Sequence, residues 1–296
     1  MVNETGTQGP AGTTGSCWDL AIAAAAHHAG GGRLSPHEAH HEIFQVSTMS
    51  ALVEGILDGD TPYRELMLHG DFGLGTFNGL DGEMAAVDGA FFHMYGDGSI
   101  KPVNPDDLTP FAAVTFFSGD AEVDVAEPQT RDELLAAVDA TVPSENLFYA
   151  IRIDGTFSYV TTRTAVRQER PYPSLLEATG GQVENRFDNV KGTIVGFRAP
   201  HYAQGMTVAG YHLHFLDSDR ARGGHVLDFV IESGSVLVDE DTDVHLEMPT
   251  SPMFLDTHID TETEDVARQV EAAENAPRVG VPPPAAHAGP VDDDLV

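Results

Sequence analysis

The segment Tyr211–His225, YHLHFLDSDRARGGH, constrains the fold more than any other part of this chain, because three histidines lie within it. Side chains two residues apart on a β-strand point to the same face of a sheet. His212 and His214 therefore project side by side if YHLHF is extended, and His225 lies on the apolar segment that follows a Gly-Gly pair. A hairpin between the two segments would bring all three imidazoles to one spot. The pattern therefore predicts paired antiparallel strands here.

Three imidazoles at one spot favour a divalent metal site. Three histidines with an open coordination position are typical of catalytic zinc, whereas structural zinc sites close with four ligands that usually include cysteine. The alternative interpretation is a set of half-buried histidines with unrelated partners, and the 14 histidines of the chain raise the chance of coincidence. The adjacent pairs His27-His28 and His40-His41 point apart, so we interpret them as surface residues.

Cupins also carry His-x-His and a later His, and they are a competing interpretation. Their pattern expects a Glu a few residues after the pair, where this chain has Asp217 and Asp219 instead. That difference weakens the cupin interpretation. We expect the two aspartates to be turn residues, although Asp217 could also orient a histidine.

Short strand patterns separated by turn residues run through much of the remaining chain. Asp97-Gly98 and Asp154-Gly155 each separate two strand-like segments, which is a hairpin signal. A clear helix signal is TRDELLAAVDATV, where Glu133 follows Thr130 by three residues and predicts a capping box. This content predicts a mixed α+β fold in which antiparallel pairing dominates.

The charge balance excludes several classes of partner. The 296 residues include 47 acidic and 15 basic side chains, for a formal net charge of −32. Such a surface repels nucleic acid and anionic lipid, so we expect neither as a main partner. An acid-rich, lysine-poor surface suits molar salt, where screening removes self-repulsion, and it predicts an extreme halophile. The single cysteine, Cys17, excludes an internal disulfide, and no apolar run is long enough for a membrane helix, so we expect a soluble cytoplasmic protein.

Several ordered blocks of the chain resemble the acetolactate decarboxylases. The block GTIVGFRAPHYAQGMTVAGYHLHFLDSDRARGGHVLDF resembles the zinc-binding core of that family. The other matching blocks are FQVSTMSALVEGILDGD, LHGDFGLGTFNGLDGEM, TPFAAVTFF, FYAIRIDGTFSYVTTRT and RPYPSL, and they occur in the family's order. The resemblance extends from about Phe44 to Glu274, and this many ordered blocks is far more specific than any single motif.

The resemblance implies decarboxylation of 2-acetolactate to acetoin and carbon dioxide, a reaction of the butanediol pathway. It implies a metal, usually Zn²⁺ although another divalent metal is possible in principle, with His212, His214 and His225 as its ligands. It also implies catalytic roles for Glu83 in LDGEM, Arg163 in TTRTAV and Glu274 in VEAAE, with Glu271 as the alternative to Glu274. Thr76, in GLGTFN, matches a residue that lines the substrate pocket of the family.

The resemblance further implies an α/β (α+β) fold with mixed, largely antiparallel sheets in two parts, of which the C-terminal part is barrel-like and carries the metal. We expect a flexible N-terminal extension over residues 1–40, an N-terminal part over 41–140, a metal-binding part over 141–275 and a disordered tail over 276–296. A homodimer is compatible with the sequence but does not follow from it.

The chemistry explains why such residues are needed. Loss of carbon dioxide from a β-keto acid leaves an electron pair that must pass into the ketone oxygen, and a Lewis-acidic metal stabilises the resulting enediolate. Arg163 would orient the departing carboxylate or the enediolate with its planar guanidinium. Glu83 or Glu274 would deliver a proton to the carbon, and the sequence does not distinguish which.

Two further alternatives stay open. Arg163, Glu83 and Glu274 could each be an ordinary solvated charge, and the chain would then be a metal- or ligand-binding family member without catalysis. A cupin-like metal oxygenase is the second alternative, and it would require iron and oxygen. Metal identity and oxygen dependence separate it from a lyase.

Overall fold

Two large β-sheets and several short helices form the part of the chain that the computed structural model describes, namely residues 41–180, 182–259 and 268–270. The strands are β1 (Glu42–Val46), β2 (Thr61–Pro62), β3 (Phe72–Thr76), β4 (Glu83–Val87), β5 (Ala90–Met94), β6 (Ile100–Pro102), β7 (Leu108–Thr109), β8 (Ala112–Thr115), β9 (Ala121–Val125), β10 (Gln129–Thr130), β11 (Phe148–Thr164), β12 (Val183–Ala199), β13 (Gly210–Asp217), β14 (Gly223–Asp241) and β15 (Asp243–Glu247). The helices are α1 (Met49–Val53), α2 (Tyr63–His69), α3 (Arg131–Thr141), α4 (Leu175–Thr179) and α5 (Pro252–Asp256), and a 3₁₀ turn spans His201–Ala203.

The first sheet has the strand order β15-β1-β8-β3-β4-β5-β6. Strand β15 runs parallel to β1, and every other pair in this sheet is antiparallel. The predicted turn at Asp97-Gly98 joins β5 to β6, and Gly98 takes a φ of 84° that glycine adopts without strain. The mixed, largely antiparallel α+β content predicted from the sequence is therefore confirmed.

The second sheet is built from the long strands β11, β12 and β14, with β13 completing a ring of pairings. Strand β14 pairs with β11, β11 with β12, β12 with β13, and β13 again with β14, all antiparallel. Strands β9 and β10 pair with β14 as well. The barrel-like shape expected for this part stays a prediction, as does a boundary near residue 140. Strand β15 follows β14 in the chain and joins the first sheet.

The predicted turn at Asp154-Gly155 is wrong. Strand β11 continues through both residues, and Gly155 lies opposite Gly192 of β12 and Gly234 of β14. A Cβ atom on Gly234 would collide with the carbonyl oxygen of Asp154. Glycine is needed here because neighbouring backbones approach closely, which is the second common use of glycine in strands.

The helix α3 begins at the predicted capping box. The Thr130 side chain accepts a hydrogen bond from the backbone N–H of Glu133, and the Glu133 carboxylate accepts one from the backbone of Thr130. The helix buries Leu134, Leu135 and Val138 in the core of the second sheet. None of the helices in the described part of the chain has the length and apolar character needed to cross a membrane.

Candidate metal centre and active site

The three predicted histidines come together on the β13–β14 hairpin. His214 and His225 lie directly opposite each other in the antiparallel pairing, and His212 precedes His214 on the same face. The ring centroids are 5.1 to 5.4 Å apart. One nitrogen of each ring lies within 4.8 Å of the other two. All three side chains are buried.

The hairpin can approach its neighbours because the Gly223-Gly224 pair precedes His225. A Cβ atom on Gly224 would lie 2.6 Å from the carbonyl oxygen of Arg163 on β11. A Cβ atom on Gly223 would collide with the carbonyl oxygen of Phe215 on β13. Side chains at either position would push β14 away from both neighbouring strands and separate the histidines.

A backbone carbonyl orients His214. Its Nδ1 lies 2.7 Å from the carbonyl oxygen of Met84 on β4, so Nδ1–H donates and Nε2 keeps its lone pair. That Nε2 lies 3.6 Å from the nearer carboxylate oxygen of Glu83. The first sheet therefore holds a histidine of the second sheet in the tautomer that a metal requires.

Burial keeps His212 neutral. Desolvation first, and the positive charge of Arg163 second, lower the pKa of His212 to about 3. A neutral imidazole offers its lone pair to a metal without first losing a proton. Three buried imidazoles with a carboxyl group alongside fit a divalent metal such as zinc, and three protein ligands leave coordination positions for a substrate.

Arg163 and Glu83 flank the histidines from two different sheets. Arg163 on β11 lies directly opposite His225, so its guanidinium is on the same face as the imidazoles, and it is only 4% exposed. Glu83 is the first residue of β4, and its carboxylate accepts a hydrogen bond of 3.3 Å from the backbone N–H of Ala165. A guanidinium and a carboxyl group thus border the same imidazole cluster.

Thr76 lines the pocket, but its polar groups serve the local backbone. Its hydroxyl donates to the carbonyl oxygen of Gly82 at 2.7 Å, which closes the loop that leads to Glu83. Its carbonyl oxygen accepts from the Tyr63 hydroxyl at 2.8 Å and from the Thr109 hydroxyl at 2.7 Å. Thr76 therefore positions Glu83.

A cavity of about 40 Å³ opens over the three histidines. Its apolar lining includes Met49, Leu52, Leu80, Phe111 and Leu175. Its polar lining adds Thr179 and Gln182 to the groups already described. This volume exceeds the space that one ordered water needs. A lining that combines polar and apolar groups suits a small, polar metabolite with alkyl substituents.

Comparison with known proteins identifies the family. The sequence model of the family described as Alpha-acetolactate decarboxylase matches residues 43–261. The chain belongs to the alpha-acetolactate decarboxylase family.

Individual relatives agree with this assignment. The alpha-acetolactate decarboxylase of Methylococcus capsulatus is 47% identical over 231 residues, which cover 78% of this chain and 89% of the relative. The Bacillus subtilis alpha-acetolactate decarboxylase is 44% identical over 236 residues, covering 80% and 92%. The crystal structure of the enzyme from Bacillus subtilis strain 168 superposes with a TM-score of 0.78 over 79% of this chain and all of that one. The strand-rich α+β fold is thus that of a solved acetolactate decarboxylase.

The second predicted catalytic carboxylate has two candidate positions in the sequence. Glu274 and its fallback Glu271 both lie outside the described residues. Asp217 is buried in the turn between β13 and β14, where its carboxylate accepts hydrogen bonds from the backbone N–H groups of Ala221 and Arg222. Asp217 therefore stabilises the β13–β14 turn, as expected of a turn residue.

The sequence did not predict two residues of the site that act through their backbone atoms. The Met84 carbonyl and the Ala165 N–H hold His214 and Glu83, yet neither residue type carries a signal for such a role. Gln182 was also missed, because a lone glutamine next to a glycine-rich turn has no distinguishing spacing. The one usable clue was the adjacency of Met84 to Glu83 within an acetolactate decarboxylase block.

Proposed function

We propose that this chain catalyses the decarboxylation of 2-acetolactate to acetoin and carbon dioxide, using a divalent metal held by His212, His214 and His225. Zn²⁺ is the preferred candidate because the donor set is three imidazole nitrogens. The observation that supports the proposal most strongly is the row His214–His225–Arg163 across three strands, which Glu83 approaches from the other sheet. Membership of a decarboxylase family supports the same reaction.

The bound metal supplies Lewis acidity, which stabilises negative charge on substrate oxygens. Arg163 binds the carboxylate of the substrate. Its planar fork of N–H groups matches a carboxylate, and burial to 4% exposure strengthens that attraction because little water competes. Arg163 therefore orients the carboxylate so that the breaking carbon–carbon bond is correctly directed.

Glu83 is the described residue best placed to move a proton. Its carboxylate lies 3.6 Å from His214 Nε2, beside the imidazole cluster, and its other oxygen is tethered to the Ala165 N–H. The tether fixes the direction from which a proton reaches the carbon that has lost carbon dioxide. Delivery from one fixed direction would produce a single enantiomer of acetoin.

The apolar wall completes the pocket. Met49, Leu52 and Phe111 face the alkyl substituents of the substrate and exclude water from the reacting carbon. Exclusion of water strengthens the interactions of both Arg163 and Glu83 with the substrate.

The test is acetoin formation from racemic acetolactate by the full chain in high salt, before and after chelation and with zinc restored. We expect activity to disappear on chelation, to return with zinc and to be absent in His214→Ala. A folded, zinc-loaded chain that forms no acetoin would refute the proposal and favour the non-catalytic binding alternative. Activity that needs oxygen and iron would favour the cupin-like oxygenase.

Three features of the cellular setting belong to the same proposal. The net charge of −32 supports activity in molar salt and a halophilic origin. Operation in the cytoplasm, within acetoin biosynthesis, is consistent with a single cysteine. A homodimer stays a prediction. Measuring activity and mass in solution against potassium chloride concentration tests the first and third of these features.

A further inference from the structure

A second cluster of potential metal ligands lies where the two sheets join. It combines His41, just before β1, Asp120, just before β9, and Asp239 near the end of β14. One ligand atom from each residue lies within 4.8 Å of the others. The three residues are far apart in sequence, so tertiary folding alone brings them together.

The cluster has one buried member and one exposed member. Asp239 is fully buried, His41 is half-buried and Asp120 is exposed. The prediction that His41 is a surface residue is therefore only partly right. An ion could enter from the exposed side and still reach a buried carboxylate.

A fourth carboxylate lies behind this group. Asp241 is two residues after Asp239 on β14 and so projects from the same face of the strand. It is fully buried, and one of its oxygens accepts from the Thr115 hydroxyl at 3.1 Å. Its other oxygen, Oδ2, is buried and has no hydrogen-bonding partner among the described residues.

Among the residues that the structure describes, neither lysine nor arginine serves as a counter-ion for these carboxylates. Within the described residues, no lysine or arginine forms an ion pair with Asp120, Asp239 or Asp241. The Asp239 carboxylate accepts hydrogen bonds from the Ser118 N–H at 2.7 Å and the Ser118 hydroxyl at 2.9 Å. Neutral donors do not balance the charge of adjacent buried carboxylates, which require either protons or a cation.

The ring of His41 is anchored in the same manner as that of His214. Its Nδ1 lies 2.8 Å from the carbonyl oxygen of Glu240, the residue between Asp239 and Asp241. Anchoring by a backbone carbonyl is the usual way in which proteins orient a metal-binding imidazole. The cluster thus contains an oriented histidine as well as carboxylates.

We propose that His41, Asp120 and Asp239 bind a second divalent metal ion, with the buried Asp241 carboxyl group behind them. One imidazole with carboxylates suits a first-row transition metal such as Zn²⁺ better than Ca²⁺ or Mg²⁺, which prefer oxygen ligands throughout. The ion ties the start of β1, the β8–β9 connection and the end of β14 together. Its role is structural, and the proposal is independent of the proposed reaction.

The test uses the full chain, stripped of metal with a chelator and dialysed against Zn²⁺ at constant salt. The His225→Ala background removes a ligand of the first site, so tightly bound zinc that remains reports on the second. We expect a stoichiometric zinc ion in this background, and we expect Zn²⁺ to raise its melting temperature. Adding Asp120→Asn should weaken zinc binding at least about tenfold, because even supporting groups of metal sites contribute that much.

Asp120 is the first choice because it is exposed, so its substitution does not disturb packing. Asp239→Asn is the second variant and should abolish the rise in melting temperature. The matched control is Asp124→Asn, which makes the same charge change at an exposed position of β9 and should leave zinc binding unchanged.

Two results would overturn the proposal. One is the absence of tightly bound zinc in the folded His225→Ala chain. The other is an equal loss of affinity in Asp120→Asn and Asp124→Asn, which would indicate only a general charge effect. If no zinc binds and Asp239→Asn stabilises the chain, protons rather than a metal balance the carboxylates.

Discussion

Replacing Glu83 by glutamine isolates the proton-transfer role proposed for this side chain. Glutamine has the same shape, keeps an acceptor oxygen for the Ala165 N–H at 3.3 Å and leaves the Met84 carbonyl in place beside His214. The substitution therefore creates no cavity and breaks no backbone contact. What it removes is the ability of this side chain to take up and release a proton beside the imidazole cluster.

The size of the expected effect follows from the contribution that a general acid makes to a reaction rate. A positioned general acid contributes roughly 10²- to 10⁴-fold to a rate. Since each factor of ten corresponds to about 1.4 kcal/mol of activation free energy, the loss amounts to about 3 to 5 kcal/mol. We expect kcat/KM of Glu83→Gln to fall by that factor while the melting temperature changes little.

The assay measures acetoin formation together with bound zinc, because a nearby carboxylate also influences metal affinity. Glu122→Gln is the matched control, since Glu122 is exposed on β9, outside the pocket. A fully zinc-loaded Glu83→Gln enzyme with kcat/KM within about threefold of the parent would contradict the reasoning, because that difference is below about 1 kcal/mol.

Three further substitutions test other parts of the structure. Gly196→Ala should reduce bound zinc per chain, because a Cβ atom there would collide with the carbonyl oxygen of His212; unchanged zinc content would show that the strand can shift freely. Phe229→Ala should lower the free energy of unfolding in urea by about 3 to 5 kcal/mol, since the ring is fully buried and packs edge-on against Phe157; a loss below about 1 kcal/mol would count against this packing. Burial lowers the pKa of the His93 imidazole in the folded chain. Below about pH 6.5 the unfolded chain therefore binds more protons at this residue than the folded chain does, and the free energy of unfolding falls as the pH is lowered. His93→Phe should therefore lose less stability than the parent between pH 7.5 and 5.5, and parallel losses in urea titrations would refute this assignment.

Local patterns predicted the elements that depend on neighbouring residues. The capping box of α3 could be read directly because Thr130 and Glu133 satisfy each other's backbone within one turn. Asp97-Gly98 was read correctly as a hairpin turn for the same reason. Asp154-Gly155 carries the same dipeptide but lies within β11, since its glycine serves contacts with Gly192 and Gly234 from other strands.

The candidate site likewise has one part that local sequence predicts and another part that it does not. The spacing of His212, His214 and His225 was sufficient to predict their convergence, because a hairpin is a local structure. The carbonyl that orients His214 belongs to Met84, 130 positions away, and the sequence contains no sign of that contact. Nothing in the sequence indicated that His41 lies beside Asp239, because these two residues are also far apart in the chain.

By itself, the sequence determined the strand-rich α+β character, the histidine hairpin and the family, because alternation, turn residues and ordered blocks act over short distances along the chain. Only the tertiary structure decided which face of which strand meets the histidines, how Glu83 and Arg163 reach them from separate sheets, and where buried carboxylates gather. Those arrangements depend on the packing of segments far apart in sequence, where burial and backbone hydrogen bonds select partners that local preference does not encode.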